Sequence, residues 1–353
     1  MKEIFAKRLK LARQRAGMSQ DNLVAAMNKR VSKNAISKYE KGLMLPNSEV
    51  LLALAQALKV RTDFFFRQDR VELPEVKFRK TTKLKKSEEK QLKAQSISYM
   101  ERYWEVEQLL MRSQTFKNPL AAAGCASEAD ARHLALELRK SWNLGLNPIP
   151  NVVEMLEHHA LKVLVFSASP AFDGLSTWVD DVPLIVLNEE FDAVRKRFTA
   201  LHELGHLLLP LDRRHITPKE EELFCNIFAS ELLLPSKKLM ENIGRHRRNI
   251  SINELVELKE YYGISLAAII YKMQELDILP NQLVKRFWLK RRQDRALLEE
   301  QPPRYGNYAG REESERFMQL VYQAAAEEVI SLSKAASLAN LPLSQFREKF
   351  MAL

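Results

Sequence analysis

The sequence predicts a mainly helical α+β chain with one small antiparallel sheet, on two observations. Apolar residues recur at helical spacing through most of the 353 residues, in stretches opened by Ser, Thr or Pro and closed by Gly or Pro. Only three runs, 162–167, 174–179 and 183–188, have the β-branched and aromatic content of strands, and they lie close together. A third observation divides the chain. The net charge is +10, yet residues 1–95 hold 23 Lys and Arg against 10 Asp and Glu, while the remainder is slightly acidic. A basic end on a near-neutral body points to a polyanion partner for that end alone. No apolar run approaches the ~18 residues that a membrane span needs, and the N-terminus has no apolar signal core. Cys125 and Cys225 are too far apart for a Cys-x-x-Cys pair or a disulfide framework. These features predict a protein of the reducing cytoplasm that does not engage membranes.

Residues 4–66 read as five short helices. Ile4, Phe5, Leu9, Leu11 and Ala12 form an apolar stripe that ends near Gly17. Ser19 caps a second helix, and Ser32 caps a third that ends at Gly42. Pro46-Asn47-Ser48 opens a fourth through Leu58, and 62–66 closes the unit. In the third helix Ile36 and Tyr39 face inward, which leaves Lys33, Asn34, Ser37 and Lys38 outward. Lysine and asparagine can read purine edges in the major groove, and serine is adaptable. Gln20, at the start of the second helix, is placed to grip a phosphate. Gln20, Ser32, Lys33, Asn34, Ser37 and Lys38 are therefore the candidate contacts to double-stranded DNA. The string Arg8, Arg13, Gly17, Ser19-Gln20, Leu23, Ile36-Ser37-Lys38-Tyr39-Glu40, Gly42, Pro46, Leu54 and Leu58 resembles the Cro/repressor-type (XRE) helix-turn-helix domain, nearly position for position. Asn28-Lys29-Arg30-Val31 is longer and more basic than the Gly-containing turn usual there.

Residues 68–118 read as a connector. Lys77 to Ser87 is a basic run with the composition of a solvated linker, and a second DNA-contacting patch is the alternative. Ser87 is expected to cap a long helix whose stripe holds Ile97, Met100, Tyr103, Trp104, Leu109 and Leu110. That stripe could pack on the body of the chain or pair two subunits. A homodimer would suit a protein that reads paired half-sites.

Residues 119–280 form the expected body: helices at 128–142 and 150–159, the three strand-like runs, and then the stretch from Phe198 to Glu222 that carries the chemistry. His202-Glu203-Leu204-Gly205-His206 is a His-Glu-x-x-His pattern. Positions four apart lie about 40° apart around a helix, so the two imidazoles aim at one point, while Glu203 is rotated roughly 100° away. A catalytic zinc takes a third protein ligand and keeps one open position. Asp212 is one oxygen donor within reach. Glu222 is the better one, because Pro210 ends the first helix and Thr217-Pro218-Lys219-Glu220 is a capping box that opens a second. On that second helix Glu222, Cys225, Asn226 and Ala229 share a face. Nearby histidines read differently: His158 and His159 end a helix, and His215, Tyr261 and Tyr262 are candidates for stabilising an oxyanion.

Arg197 through His206, followed by Glu222, Cys225-Asn226, Phe228-Ala229 and Leu232 to Pro235, resembles the ImmA/IrrE zinc metallopeptidases. Cys225 stands where that family usually has Ala. The resemblance implies a zincin-like domain in which His202, His206 and Glu222 hold Zn2+. Glu203 is then the general base of an endopeptidase. Asp173-Gly174 before a strand matches the same family. An edge strand beside the metal helix can take an extended peptide by strand addition, which makes Gly174, Leu175, Ser176 and Thr177 the candidate substrate contacts. A helix, Gly turn and helix over 252–272 look like a second helix-turn-helix and read as scaffold. Residues 281–353 read as a C-terminal region without a catalytic constellation, helical from Arg311 to Leu353 with a short Ala-rich helix from Ser331.

The whole reads as a DNA-binding head at 1–67, a connector at 68–118, a peptidase body at 119–280 and the C-terminal region. The resemblance implies limited proteolysis of a repressor-like protein in stress or mobile-element control, in trans or by cutting the connector in cis. The alternative is an antitoxin-like transcription factor whose zinc body senses rather than cuts.

Overall fold

The computed structural model describes residues 1–67 and 85–350. Most of the basic run between Lys77 and Ser87 therefore lies outside the described residues. The chain forms two compact units. Of the described residues, one unit comprises 1–67, 85–114 and 315–350, and the other spans Thr115–Ser314.

In the first unit, α1 (Lys2–Arg15), α2 (Gln20–Ala26), α3 (Lys33–Glu40) and α4 (Ser48–Ala57) are followed by a short 3-10 turn at Thr62–Phe66, which takes the place of the fifth helix. The expected side chains make the caps. Ser19 Oγ accepts from the Asn22 N–H at 3.0 Å, Ser32 Oγ from Ala35 at 3.2 Å and Asn47 Oδ1 from Val50 at 2.9 Å. Phe5, Leu9, Ala12, Leu23, Ile36, Tyr39, Leu54 and Phe65 close one core. The turn between α2 and α3 has Asn28 and Lys29 at φ of 54° and 56°, so two non-glycine residues carry the left-handed geometry that the basic turn requires. Helix α5 (Lys86–Leu109) starts one residue before Ser87, whose side chain is not its cap; the Glu88 carboxylate instead accepts from the Lys85 N–H at 3.0 Å.

The second unit opens with α6 (Glu128–Ser141) and α7 (Val152–His158), then β1 (Lys162–Phe166), β2 (Gly174–Val179) and β3 (Val182–Asn188). The sheet order is β1-β3-β2. The antiparallel expectation is met by β2 and β3, which pair from Gly174↔Leu187 to Val179↔Val182; β1, however, pairs parallel with β3 from Lys162↔Leu184 to Phe166↔Asn188. The reason lies in β3, whose run of apolar residues is buried along nearly its whole length. Such a run suits a central strand covered on both faces. β1 and β2 are then left to its two edges.

Helix α8 (Ala193–Leu208) lies on β2 and β3 and carries the His-Glu-x-x-His pattern. It ends before Pro210 as expected. Helix α9 (Pro218–Leu233) opens with the capping box, Thr217 and Glu220 bonding reciprocally, and packs between α8 and α6. Gly205 permits the close crossing of α8 and α9: a Cβ there would meet Cys225 Cα and Sγ at 3.2 Å. Then follow α10 (Ser236–Ile243), α11 (Ile252–Tyr262), α12 (Leu266–Glu275), α13 (Asn281–Gln293) and α14 (Arg295–Leu298). Gly263, at φ 62°, ends α11. Leu255, Leu258, Ile269, Ile270 and Met273 of α11 and α12 belong to the same core as the sheet and α8.

Buried charges tie these layers together. Arg139 on α6 donates to the Leu232 carbonyl at the end of α9. Glu231 on α9 pairs with Lys272 on α12 and accepts from the Ser236 N–H at 2.8 Å. Arg197 on α8 pairs with Glu312, whose carboxylate also accepts from the Val152 and Val153 N–H groups at 2.8 and 3.2 Å. All four of Glu231, Lys272, Arg197 and Glu312 are almost fully buried. Burial raises the Glu312 carboxyl above its ordinary value although Arg197 opposes the shift.

The C-terminal stretch holds three short helices: α15 (Arg316–Ala326), α16 (Leu332–Ala339), which is the Ala-rich helix read from Ser331, and α17 (Leu343–Lys349). They belong to the first unit. Tyr103 and Val106 of α5 are buried among Leu320, Val321, Ala324, Ala336, Leu338 and Phe346. Of the expected stripe, Met100 and Tyr103 are buried, Ile97, Trp104 and Leu110 are half-buried, and Leu109 is exposed. Among the described residues, no helix is long and apolar enough to cross a membrane.

At Gly174 the sheet comes close to α8. A Cβ there would lie 2.7 Å from Thr199 Cγ2 and 2.8 Å from the Val186 carbonyl oxygen. Gly174→Ala is expected to lower the unfolding free energy by about 1–3 kcal/mol, as overpacking does. Urea unfolding with an unchanged midpoint would contradict so close an approach.

Candidate functional site

Asp192 caps α8 by accepting from the Arg195 N–H at 2.9 Å, which fixes the helix start nearly three turns before the first histidine. His202 and His206 then stand one turn apart, ring centroids 4.8 Å apart and edge to face. Glu222 comes across from the first turns of α9. Its two carboxylate oxygens lie 3.2 Å from His202 Nε2 and 3.4 Å from His206 Nε2. The opposite ring nitrogens are occupied. His202 Nδ1 is 2.9 Å from Asn226 Oδ1, and His206 Nδ1 is 3.2 Å from both Glu221 Oε1 and Cys225 Sγ. Partners on Nδ1 orient both rings so that Nε2, the nitrogen a cation would take, faces Glu222.

The three donors lie within 4.8 Å of one another, the one such group among the described residues. Tetrahedral ligands at the zinc bond lengths of ~2.0–2.2 Å stand roughly 3.3 Å apart, and the two Nε2-to-carboxylate separations match that spacing. His206 is buried, while the Glu222 side chain is 45% exposed, so the group is open to solvent on one side. Hydrogen bonds from His202 and then His206 hold the Glu222 carboxyl well below the usual carboxylate range. Burial disfavours the charged form of His202, but Glu222 and Glu203 outweigh it and raise its pKa. Two imidazoles and an ionised carboxylate are a donor set suited to a borderline-soft divalent cation.

Glu203 is nearly buried and faces the sheet, where Ser176 Oγ of β2 donates to its Oε2 at 2.7 Å. Gly174 and Ser176 lie on one face of β2 by the strand period of two, against Thr199 and Glu203, which are one turn apart on α8. β2 occupies an edge of the sheet, with β3 as its neighbour.

Asp212 does not join the cluster. Its exposed carboxylate is bound by Arg214 at 2.9 Å and by His215 at 3.0 Å, and Arg214 holds it well below its ordinary range. Cys225 touches His206 on the side away from Nε2. His159 stacks on Trp142 with centroids 4.1 Å apart. His215 and Tyr261 are exposed, and Tyr262 is a core residue whose carbonyl accepts from Arg197 at 3.3 Å. The contacts not foreseen are the Ser176–Glu203 bond, the orienting roles of Asn226 and Glu221, and the Arg197–Glu312 pair behind α8. Asn226 was within reach of the pattern, four residues after Glu222. Glu312 was not, because 115 residues separate it from Arg197.

In the head, Ser32, Lys33, Asn34 and Lys38 are exposed, and Gln20 and Ser37 are partly so. Lys33 reaches Asp21 at 2.6 Å in a pair exposed on both sides, which holds it only weakly. Gln20 donates to Glu40 at 2.8 Å, and Glu40 is held by Arg13 at 2.6 Å.

Fold and site together define the class: a DNA-binding regulator with a helix-turn-helix head and a protease-like body. Comparison with family models identifies the parts. Residues 9–65 match the helix-turn-helix model, and residues 157–274 match a peptidase family described as the IrrE N-terminal-like domain. The two matches fit a Cro/XRE-type head followed by an ImmA/IrrE-type peptidase domain. None of the curated proteins compared with it matches. Among solved structures, the apo form of ComR from S. thermophilus aligns at 13% identity over 99% of this chain and 98% of that one. The TM-score of that alignment, 0.18, is too low to bear on the fold.

Two outcomes are expected. Metal analysis should find Glu222→Ala depleted of bound metal and Glu203→Gln loaded, with Asn226→Leu weakened by about 10–100-fold, the usual cost of losing a partner on a ligand imidazole; equal content in all three contradicts the ligand set. In DNA titrations, Asn34→Ala should lose ~1–3 kcal/mol of discrimination between sequences, whereas Gln20→Ala should weaken all sequences alike. A uniform loss from Asn34→Ala counts against α3 as the reading helix.

Proposed function

We propose that the body is a zinc-dependent endopeptidase and that its target is a repressor-type protein, cut at limited sites. The observation that carries this reading is the convergence of His202, His206 and Glu222, with Glu203 beside them on the same helix and an edge strand alongside. Zinc held by these three residues would acidify a water toward ~7 and polarise a carbonyl. Glu203 is one residue from His202, and among the described residues a serine hydroxyl, that of Ser176, holds one of its oxygens. Its free oxygen can accept the proton of the attacking water, and the carboxylic acid so formed can return it to the leaving nitrogen. β2 is an edge strand beside α8, and an extended peptide added along it would lay a scissile bond by the donor group; Gly174 is half-buried there, while Leu175, Ser176 and Thr177 are buried. The head brings the peptidase to DNA, where repressor-type proteins reside. The cytoplasm is the compartment that such a partner set and two unpaired cysteines suit.

The test uses the full chain loaded with zinc. Wild type and Glu203→Gln are incubated with a peptide library and with a panel of helix-turn-helix repressors, and products and the chain's own intact mass are read by mass spectrometry. Cleavage by wild type, reduced at least ~10²-fold in Glu203→Gln, is expected for a general base. A shortened chain in wild type alone would place the cut in cis. If neither protein cuts and Glu203→Gln regulates a reporter like wild type, the body is a sensor and the peptidase reading fails.

A further inference from the structure

We infer that the first turn of α5 is part of the DNA interface: Lys86 and Lys90, with Lys10 and Lys41, form a cationic cleft for backbone phosphates beside the reading helix. The inference rests on the DNA-binding role of the head and extends it to a helix outside the helix-turn-helix match.

Helix α5 is fastened to the head along one face. Arg8 pairs with Glu101 at 2.7 Å, Arg15 donates to Ser98 at 3.0 Å, and Gln95 donates to the Arg15 carbonyl at 3.4 Å. The Gln91 carboxamide covers Gly17, where a Cβ would meet its Oε1 at 2.9 Å. Residues 91, 95, 98 and 101 follow helical spacing, so the same face continues back to Ser87, with Lys86 and Lys90 on its flanks. This brings the start of α5 to the turn between α1 and α2.

There it closes one side of a cleft of about 700 Å3. The other walls include Lys10, Gln14, Ser19, Gln20, Ser37 and Lys41. Gln20 and Ser37 are candidate DNA contacts, so the cleft adjoins the surface expected to face the duplex. Glu40 is the acid that lines it, and Arg13 and Gln20 already bond its two oxygens. Lys10, Lys41, Lys86 and Lys90 are exposed and have no acidic partner among the described residues. Four like charges held around one opening repel each other, and that cost is offset when a polyanion enters. A duplex read by α3 carries phosphates on both sides of its groove, and phosphate contacts of this kind set register without reading sequence.

The test needs no operator, because phosphate contacts dominate non-specific binding. Full-length wild type, Lys86→Gln/Lys90→Gln and a control, Lys140→Gln/Lys237→Gln, are titrated onto a fluorescent random-sequence duplex between 50 and 200 mM KCl. Each lost phosphate contact flattens the slope of log affinity against log salt by about 0.9. The α5 variant should therefore be flatter by about 1.8, so that wild type loses about 12-fold more affinity than the variant across that range. The control should keep the wild-type slope, and circular dichroism should show all three folded alike. An α5 variant with the wild-type slope overturns the inference. So does tighter binding by that variant, which would make α5 an obstruction to DNA. Wild type that binds no duplex at any salt overturns the DNA role of the head itself, a result distinct from failure at α5 alone.

Discussion

The crossing of α8 and α9 is the constraint on which the site depends. Two imidazoles one turn apart on a single helix can aim at a point, but a third donor has to come from elsewhere. It comes from α9, and the helices are close enough because position 205 has no side chain: a Cβ there would press on Cys225 at 3.2 Å. That contact sets α9 so that Glu222 faces both Nε2 atoms, while Asn226 and Cys225, one turn further on, meet the Nδ1 atoms of His202 and His206. One helix face thus supplies both the third donor and groups that orient the first two. Sequence spacing of three and four along α9 translates into inner and outer positions of the site.

Around this crossing the protein places charge where apolar packing would be expected. Glu231–Lys272 joins α9 to α12, Arg197–Glu312 joins α8 to α7 and to the segment before α15, and Arg139 holds the carbonyl end of α9. Buried pairs of this kind contribute little net stability against an apolar replacement, but loss of one partner leaves a stranded charge and is costly. Their geometry is also directional, which apolar packing is not. Each pair ties a helix of the site to an element distant in sequence, and that restricts sliding or rotation of α8 and α9.

The head is organised by a similar division. A small apolar core built on Phe5, Leu9, Ile36, Leu54 and Phe65 sets the helix angles, and polar contacts decide what is left to face outward. Glu40 is used internally by Arg13 and Gln20, so an acid on α3 does not spoil a basic surface. The long helix α5 does two jobs within one unit. From Gln95 to Glu101 it is fastened to α1 by Arg8, Arg15 and Gln95, and beyond that Tyr103 and Val106 are buried against α15–α17.

Much of this was legible in the sequence, because local chemistry writes it there. Ser19, Ser32 and Asn47 announced helix starts, Pro210 and the Thr217–Glu220 box announced the break between the site helices, and the histidine spacing announced the donor pair. Those signals work within four or five residues, where the chain itself fixes geometry. Tertiary structure decided the rest. The parallel pairing of β1 with β3, the return of 315–350 to the N-terminal unit, the Ser176 bond to Glu203 and the meeting of Arg197 with Glu312 all join residues far apart in sequence. No local pattern encodes such pairings, since they depend on which apolar faces bury one another when the whole chain collapses. Sequence alone determined which residue types could bind a metal or a phosphate; the packing of helix on helix and helix on sheet determined which of them meet.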